Sequence, residues 1–294
     1  MLLVDKPAGF TSHDVVAKCR KILGTRKIGH AGTLDPMATG LLVLGVEAGT
    51  KLLTFIVGNS KTYQATIRLG QTTLTDDFEG EVLARADSNL LAKISSDDIH
   101  KQIEAFIGRI EQIPSSVSAI KVHGERAYDL VRDGQVVTLK SRRIEVSQFE
   151  VIGEIRKSDN FIDLDVLVSC SSGTFIRALA RDLGNALGVG GHLTALRRTR
   201  IGNFEVSDAQ TLEQLVDTKP NFMRLVNAAS DIFPVLEIDP ASEQDLRHGK
   251  RIVLQTSGTT ALFRGESLVA IVVPVSTNTV RSLVVFNEAL DGSD

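Results

Sequence analysis

Gly29-His30-Ala31-Gly32-Thr33-Leu34-Asp35-Pro36-Met37-Ala38-Thr39-Gly40 is a glycine-punctuated loop set between an amphipathic helix and a buried strand. Its three glycines let the backbone approach a ligand closely or take a positive φ. Pro36 biases Asp35 toward an extended conformation, so the carboxylate is carried on a stiff segment. Local pattern leaves two readings open. Asp35 closes a tight bend as an Asx-turn, or it faces a ligand, as loop residues on a rigid scaffold often do.

Upstream, Leu2-Leu3-Val4 predicts a first strand and Lys6-Pro7-Ala8-Gly9 a turn. Val15, Val16, Cys19, Ile22 and Leu23 then keep helical spacing between a Thr11 or Ser12 N-cap and a stop at Gly24. Lys18, Arg20 and Lys21 form its solvated face. Downstream, Leu41–Val46 reads as a buried strand, and Tyr63, Ala65, Ile67 and Leu69 alternate as a half-buried one. Acidic residues fill Asp76 to Glu81, and a helix opens near Ser95–Asp98 with Ile99, Ile103, Phe106 and Ile107 on one face. Strands are expected at 136–152 and 161–169, and helices at 174–187, opened by Ser172-Gly173, and at 208–217. From about Phe233 the texture turns to short strands: Val235–Ile238, Ala261–Phe263, Leu268–Val273 and Arg281–Phe286. Strand and helix alternate too irregularly for a doubly wound fold. The expectation is α+β, with a mixed or antiparallel sheet and a small β-rich terminal domain.

Composition excludes several classes. Hydrophobic residues at 43% and charged residues at 23% are ordinary for a globular chain, and no apolar run reaches the ~20 residues of a membrane helix. The N-terminus shows no basic leader, so no signal peptide is expected. Cys19 and Cys170 are too few and too far apart for a disulfide framework or metal cluster, and a cytoplasmic setting fits them. The net charge of −3 announces no polyanion partner, yet residues 1–60 carry seven basic against four acidic groups. Residues 170–204 carry five against one. A polyanion could therefore be met by local surfaces. Phosphate-loop and dinucleotide glycine motifs, a G-x-S-x-G elbow and metal-ligand histidine spacings are all missing. A metal-free enzyme or a binding protein remains.

Two further segments carry chemistry. Lys61-Thr62-Tyr63 opens the alternating strand with one of only two tyrosines, read from pattern alone as a core-edge aromatic. Ser171-Ser172-Gly173-Thr174-Phe175-Ile176-Arg177 joins a strand to a helix and puts Arg177 in the first turn. A cation there opposes the helix dipole, which points to a carboxylate partner or to an ordinary surface pair.

Together with Gly29–Gly40, these segments resemble the motifs of the TruB family of bacterial tRNA pseudouridine synthases, which act on uridine 55 of the T-loop. The resemblance extends to Lys6-Pro7-Ala8-Gly9, Arg68-Leu69-Gly70-Gln71, Pro114-Ser115…Ser118-Ala119-Ile120-Lys121 and Gly191-His192-Leu193…Leu196-Arg197-Arg198, covering about residues 1–205 in order. It implies a pseudouridine-synthase fold: a mixed, largely antiparallel sheet with flanking helices and a central cleft. It places a catalytic domain at 1–231 and a small PUA-like RNA-binding domain at 232–294. The latter rests on Leu246…Gly249, Ala261-Leu262-Phe263 and Leu268–Ile271.

By the same resemblance the enzyme isomerises uridine without cofactor or metal, because no atom is gained or lost. Asp35 is then the essential carboxylate, Arg177 its charge partner, and Tyr63 the ring that stacks on the flipped uracil. His30 fills the space that the flipped base leaves, Leu196 lines the pocket, and Asp77 belongs to the polar network beside Arg177. Arg142, Arg143, Arg197 and Arg198 are candidate phosphate contacts. The implied partner is the T-arm of tRNA, with no membrane, no guide RNA and no obligate protein partner. Two alternatives use the same residues: a non-catalytic RNA-binding module, and a relative that takes its target from a guide RNA within a larger complex.

Overall fold

The structure is a computed structural model that describes residues 1–115, 121–122, 125–126 and 139–286. Strand β1 (Leu2–Lys6) leads through a turn into helix α1 (Ser12–Leu23), then β2 (Ile28–His30), β3 (Thr39–Val46) and, past a 3-10 turn, α2 (Leu53–Ile56). Helix α1 begins where the Thr11 hydroxyl accepts from the Asp14 N–H while the Asp14 carboxylate accepts from the Thr11 N–H. It ends at Gly24, whose φ of +65° a side chain would resist. Strand β1 pairs antiparallel with β3, and β2 with the far end of β3. Alternation along β1 and β3 gives the sheet two apolar faces. Leu2, Val4, Leu42 and Leu44 pack with Val15, Val16 and Cys19 of α1. Leu3, Leu41 and Val43 pack on the other face with Leu52, Ile56, Phe204 and Ala228.

The chain continues through β4 (Lys61–Leu69), β5 (Gln71–Thr73), β6 (Val82–Arg85), α3 (Ser88–Lys93), α4 (Ser96–Glu104), β7 (Gly108–Gln112), β8 (Lys121–Val122) and β9 (Glu125–Arg126). Then come β10 (Arg142–Val151), β11 (Arg156–Lys157), β12 (Ile162–Cys170), α5 (Ile176–Ala186) and β13 (Gly191–Ile201). Their sheet runs β13-β4-β12-β10-β7, with β11 added to β12. Antiparallel register sets Tyr63 opposite Val168 and Lys61 opposite Cys170. Tyr63, Ala65, Ile67 and Leu69 are all buried, as their alternation implies.

Helix α4 carries the expected cap, Ser95 with Asp98, and buries Ile99 and Ile103. It stops at Glu104, so Phe106 falls in the following turn and Ile107 is 45% exposed. That corrects the expected four-residue face. The strand expected over 136–152 starts at Arg142; 136–138 lie outside the described residues, as do Ser118-Ala119-Ile120.

After β13 come β14 (Phe204–Glu205), β15 (Gln210–Thr211), α6 (Leu212–Asp217), α7 (Leu225–Ser230), β16 (Val235–Glu237), α8 (Pro240–Arg247), β17 (Ile252–Val253), β18 (Thr260–Arg264), β19 (Ser267–Ser276) and β20 (Thr279–Val285). Strand β15 joins β1 in parallel, which makes the sheet mixed. The helix expected over 208–217 is shortened to α6 because the Thr211–Gln214 capping box fixes its start. The terminal strands form a sheet ordered β16-β18-β19-β20-β17 with its own core of Ile238, Leu246, Ile252, Leu262, Val269, Ala270, Val272 and Val280.

Residues 1–59 and 200–294 make up one compact unit and residues 60–199 another. Among the described residues no helix is long and apolar enough to cross a membrane.

Both cysteines are buried, and burial pushes each thiol up to about 11. Folded protein at pH 8 is therefore expected to leave Ellman's reagent almost unreacted, with two thiols titrating in guanidinium. Rapid labelling of the native protein would show that a core is open.

Candidate active site

In the first unit, the loop after β2 is pinned from several sides. The Ser12 hydroxyl accepts from the Leu34 N–H at 2.9 Å, the Gly9 N–H donates to the Pro36 carbonyl at 2.9 Å, and the Ala31 N–H to the Val43 carbonyl at 2.9 Å. Fully buried Lys6 donates to the carbonyls of Phe10, Pro7 and Pro36 at 2.6, 3.0 and 3.2 Å. A buried ammonium is tolerated because its protons are spent on carbonyl acceptors. Asp35 is thereby carried, half-buried, on a fixed backbone, and the Ala38 N–H closes onto its carbonyl at 3.1 Å. The half-buried His30 ring sits edge-on to His13, with centroids 5.5 Å apart.

In the second unit, Arg177 lies in the first turn of α5 and is 5% exposed. Its guanidinium donates to the Thr75 carbonyl at 2.7 Å and lies 3.4 Å from the Asp77 carboxylate. Asp77 is fixed in turn. Its carboxylate accepts from the Thr75 hydroxyl at 2.5 Å and the Glu79 N–H at 3.1 Å, and its carbonyl from the Thr73 hydroxyl at 2.7 Å. The turn that makes this possible holds Asp76 at φ +58°, a strained value for a residue with a side chain. Arg181, one turn further along α5, reaches the Asp76 carboxylate at 3.2 Å. Burial raises the Asp76 carboxyl above the usual range despite the Arg181 and Arg177 charges beside it.

Tyr63 and Leu196 are each 7% exposed, on the neighbouring strands β4 and β13. Two residues before Tyr63, Lys61 is buried, and burial together with the Arg198 charge pushes its ammonium down to about 8. Its Nζ lies 3.4 Å from the Ser172 hydroxyl, in the turn leading to Arg177.

The structure thus brings Asp77 against Arg177, sets Tyr63 and Leu196 on adjacent strands, and places His30 at the end of β2 and Asp35 on the loop that follows. One expectation is corrected: Arg198 is 1% exposed, hence an interior residue rather than a phosphate contact. Arg142 and Arg143 are exposed, with Arg143 paired to Glu111. Sequence reasoning missed Lys6, Thr75, Asp76 and Arg181. Lys6 stood in a quoted motif without a role, and an Arg181 one turn beyond Arg177 was the available sign of a second pair.

The chain matches the description "TruB family pseudouridylate synthase (N terminal domain)" over residues 20–176 and "tRNA pseudouridylate synthase B C-terminal domain" over 177–224. It is 55% identical to tRNA pseudouridine synthase B of Leifsonia xyli subsp. xyli, across 86% of this chain and 83% of that protein. With the protein of the same name from Rhodococcus jostii it shares 55% identity over 85% and 81%. Among solved structures, a chain in an H/ACA RNP bound to a substrate RNA containing 2′-deoxyuridine shares the fold, with a TM-score of 0.72 and 24% identity over 97% of this chain and 84% of that one. The glycine-rich loop bearing Asp35, the strand bearing Tyr63 and the turn delivering Arg177 all fall within these matches, and the chain belongs to the TruB family of pseudouridylate synthases, with their fold.

Proposed function

We propose that this protein isomerises uridine 55 in the T-loop of tRNA to pseudouridine, alone and without cofactor. The observation that carries the reading is its 55% identity to a tRNA pseudouridine synthase B over a span that includes most of the chain. In the reaction the N1–C1′ bond breaks, the uracil turns, a C5–C1′ bond forms, C5 loses its proton and N1 gains one. Breaking a glycosidic bond builds positive character on the sugar, which an ionised carboxylate relieves. Asp35 has that task, by adding to the base or sugar or by removing a sugar proton. Arg177 compensates and orients its charge, with Asp77 and Thr75 holding the guanidinium.

A base within a folded loop has to be flipped out to be reached. Tyr63 then stacks on the extruded uracil, Leu196 lines the pocket and His30 occupies the vacated space. Residues 1–231 make up the catalytic domain, and 232–294 a PUA-like RNA-binding domain.

Incubation of the purified protein with unmodified tRNA transcript, followed by nucleoside analysis, is expected to yield one pseudouridine per tRNA. The fold shared with a protein of an H/ACA RNP favours a second reading, in which a guide RNA selects the target. No product from the protein alone, with product appearing on addition of cellular RNA and proteins, would decide for it.

Tyr63 gives a finer test. Tyr63→Phe keeps the stacking face and loses the hydroxyl, whereas Tyr63→Leu loses both. Base–aromatic stacking is worth about 1–3 kcal/mol, so the single-turnover rate of the Leu variant is expected to fall well below that of the Phe variant. Equal, severe losses would make the hydroxyl the working part.

A further inference from the structure

Helix α5 carries Arg177 at its second residue, yet its N-cap, Phe175, has no side chain able to cap it. The capping is done from elsewhere. Gln112, at the end of β7 and 63 residues earlier, uses both ends of its amide on the Phe175 backbone. Its Oε1 accepts from the Phe175 N–H at 2.9 Å, and its Nε2 donates to the Phe175 carbonyl at 3.1 Å. That carbonyl is also the first acceptor inside the helix, taking the Leu179 N–H at 3.2 Å. Gln112 is 1% exposed, so these bonds are shielded from competing water.

The rest of the turn is held independently. The Ser171 N–H donates to the Glu145 carbonyl at 2.8 Å, and the Ser171 hydroxyl accepts from the Glu145 N–H at 2.9 Å. Those bonds end four residues before Phe175. The Lys61 ammonium at Ser172 and the Thr174 hydroxyl, which donates to the Ser171 carbonyl at 3.0 Å, brace the residues between, and Gln112 is the side chain that bonds the Phe175 backbone itself.

We propose that Gln112 is a positioning residue for the isomerisation: its paired hydrogen bonds to Phe175 set the start of α5 and with it the placement of the Arg177 guanidinium. The proposal rests on the catalytic reading of Arg177 given above. A catalytic group displaced by about 1 Å loses on the order of 100-fold in rate. A buried amide bonded at two points is the kind of support that prevents such displacement.

Two substitutions test it, each read as single-turnover rate at saturating T-arm RNA, RNA affinity and circular dichroism. Gln112→Leu keeps the bulk and loses both bonds. Its rate is expected to fall about 10- to 100-fold while affinity changes little. Gln112→Glu adds a pH readout, and circular dichroism at each pH separates a local effect on the rate from loss of fold. As a neutral acid it still accepts from the Phe175 N–H and donates to the carbonyl; as a carboxylate it can only accept and repels the carbonyl. Burial raises the carboxyl pKa of such a group. The Glu variant is therefore expected to recover toward the wild-type rate as pH falls, relative to wild type measured at each pH.

A folded Gln112→Leu enzyme at the wild-type rate overturns the proposal, and so does a Gln112→Glu enzyme that keeps the wild-type rate at a pH where its carboxyl is shown by infrared spectroscopy to be ionised. If the wild type makes no pseudouridine in this RNA, the functional reading fails instead. A normal wild type with indifferent Gln112 variants counts against Gln112 alone.

Discussion

Asp35→Asn is expected to abolish pseudouridine formation while leaving tRNA affinity in place. Asn matches Asp in shape and fits the same loop, which bonds from Lys6, Ser12 and Gly9 hold. On the proposed mechanism, what is lost is the negative charge that relieves the positive character built up by glycosidic cleavage. Removing a group that forms or stabilises the intermediate costs on the order of 10⁴-fold or more. Binding should not suffer, because a carboxylate repels phosphates and its loss does not weaken that part of recognition. Single-turnover rate and equilibrium binding on one preparation separate the two effects. A variant that turns over at more than a trace, with contaminating enzyme excluded, removes Asp35 from the chemistry.

The second large effect concerns Arg177→Lys. Arg177 is 5% exposed, beside Asp77 at 3.4 Å and the Thr75 carbonyl at 2.7 Å. Lys keeps the charge and loses the planar fork, so it cannot hold both of these acceptors in the same geometry. Leaving the buried Asp77 carboxylate short of its partner costs several kcal/mol, about 3–5. The rate is expected to collapse with affinity and its salt dependence nearly unchanged. A phosphate contact would give the reverse: weaker binding, a shallower salt slope and a near-normal rate at saturating tRNA. Measurements at two salt concentrations distinguish the outcomes.

The parts of the fold legible in the sequence are those specified by local chemistry. Thr11 and Gly24 mark both ends of α1, and the 63/65/67/69 alternation marks β4. Strand β13 went unrecognised because Arg197, Arg198 and Arg200 break its apolar pattern, although Arg198 points inward and is buried. Helix α8 carried a readable start, Asp239 as cap with Pro240 behind it, but few apolar residues on a face to confirm it.

The site divides the same way. Asp35, Tyr63 and Arg177 stand in motifs that a reader of sequence can single out. Their supports do not, because each works across many residues of chain. Lys6 ties the Asp35 loop through Pro36, Thr75 meets Arg177 across 102 positions, and Gln112 meets Phe175 across 63. Spacing in sequence says nothing about such pairs; only the sheet order brings them within hydrogen-bonding distance.

The most direct measurement is a nucleotide-resolution pseudouridine map of an unmodified tRNA transcript, treated in parallel with wild-type protein and Asp35→Asn and with nothing else added. The predicted result is a single modified uridine, position 55, with wild type and none with the variant. Modification at a different position, or a signal at 55 that survives loss of the Asp35 charge, would contradict it.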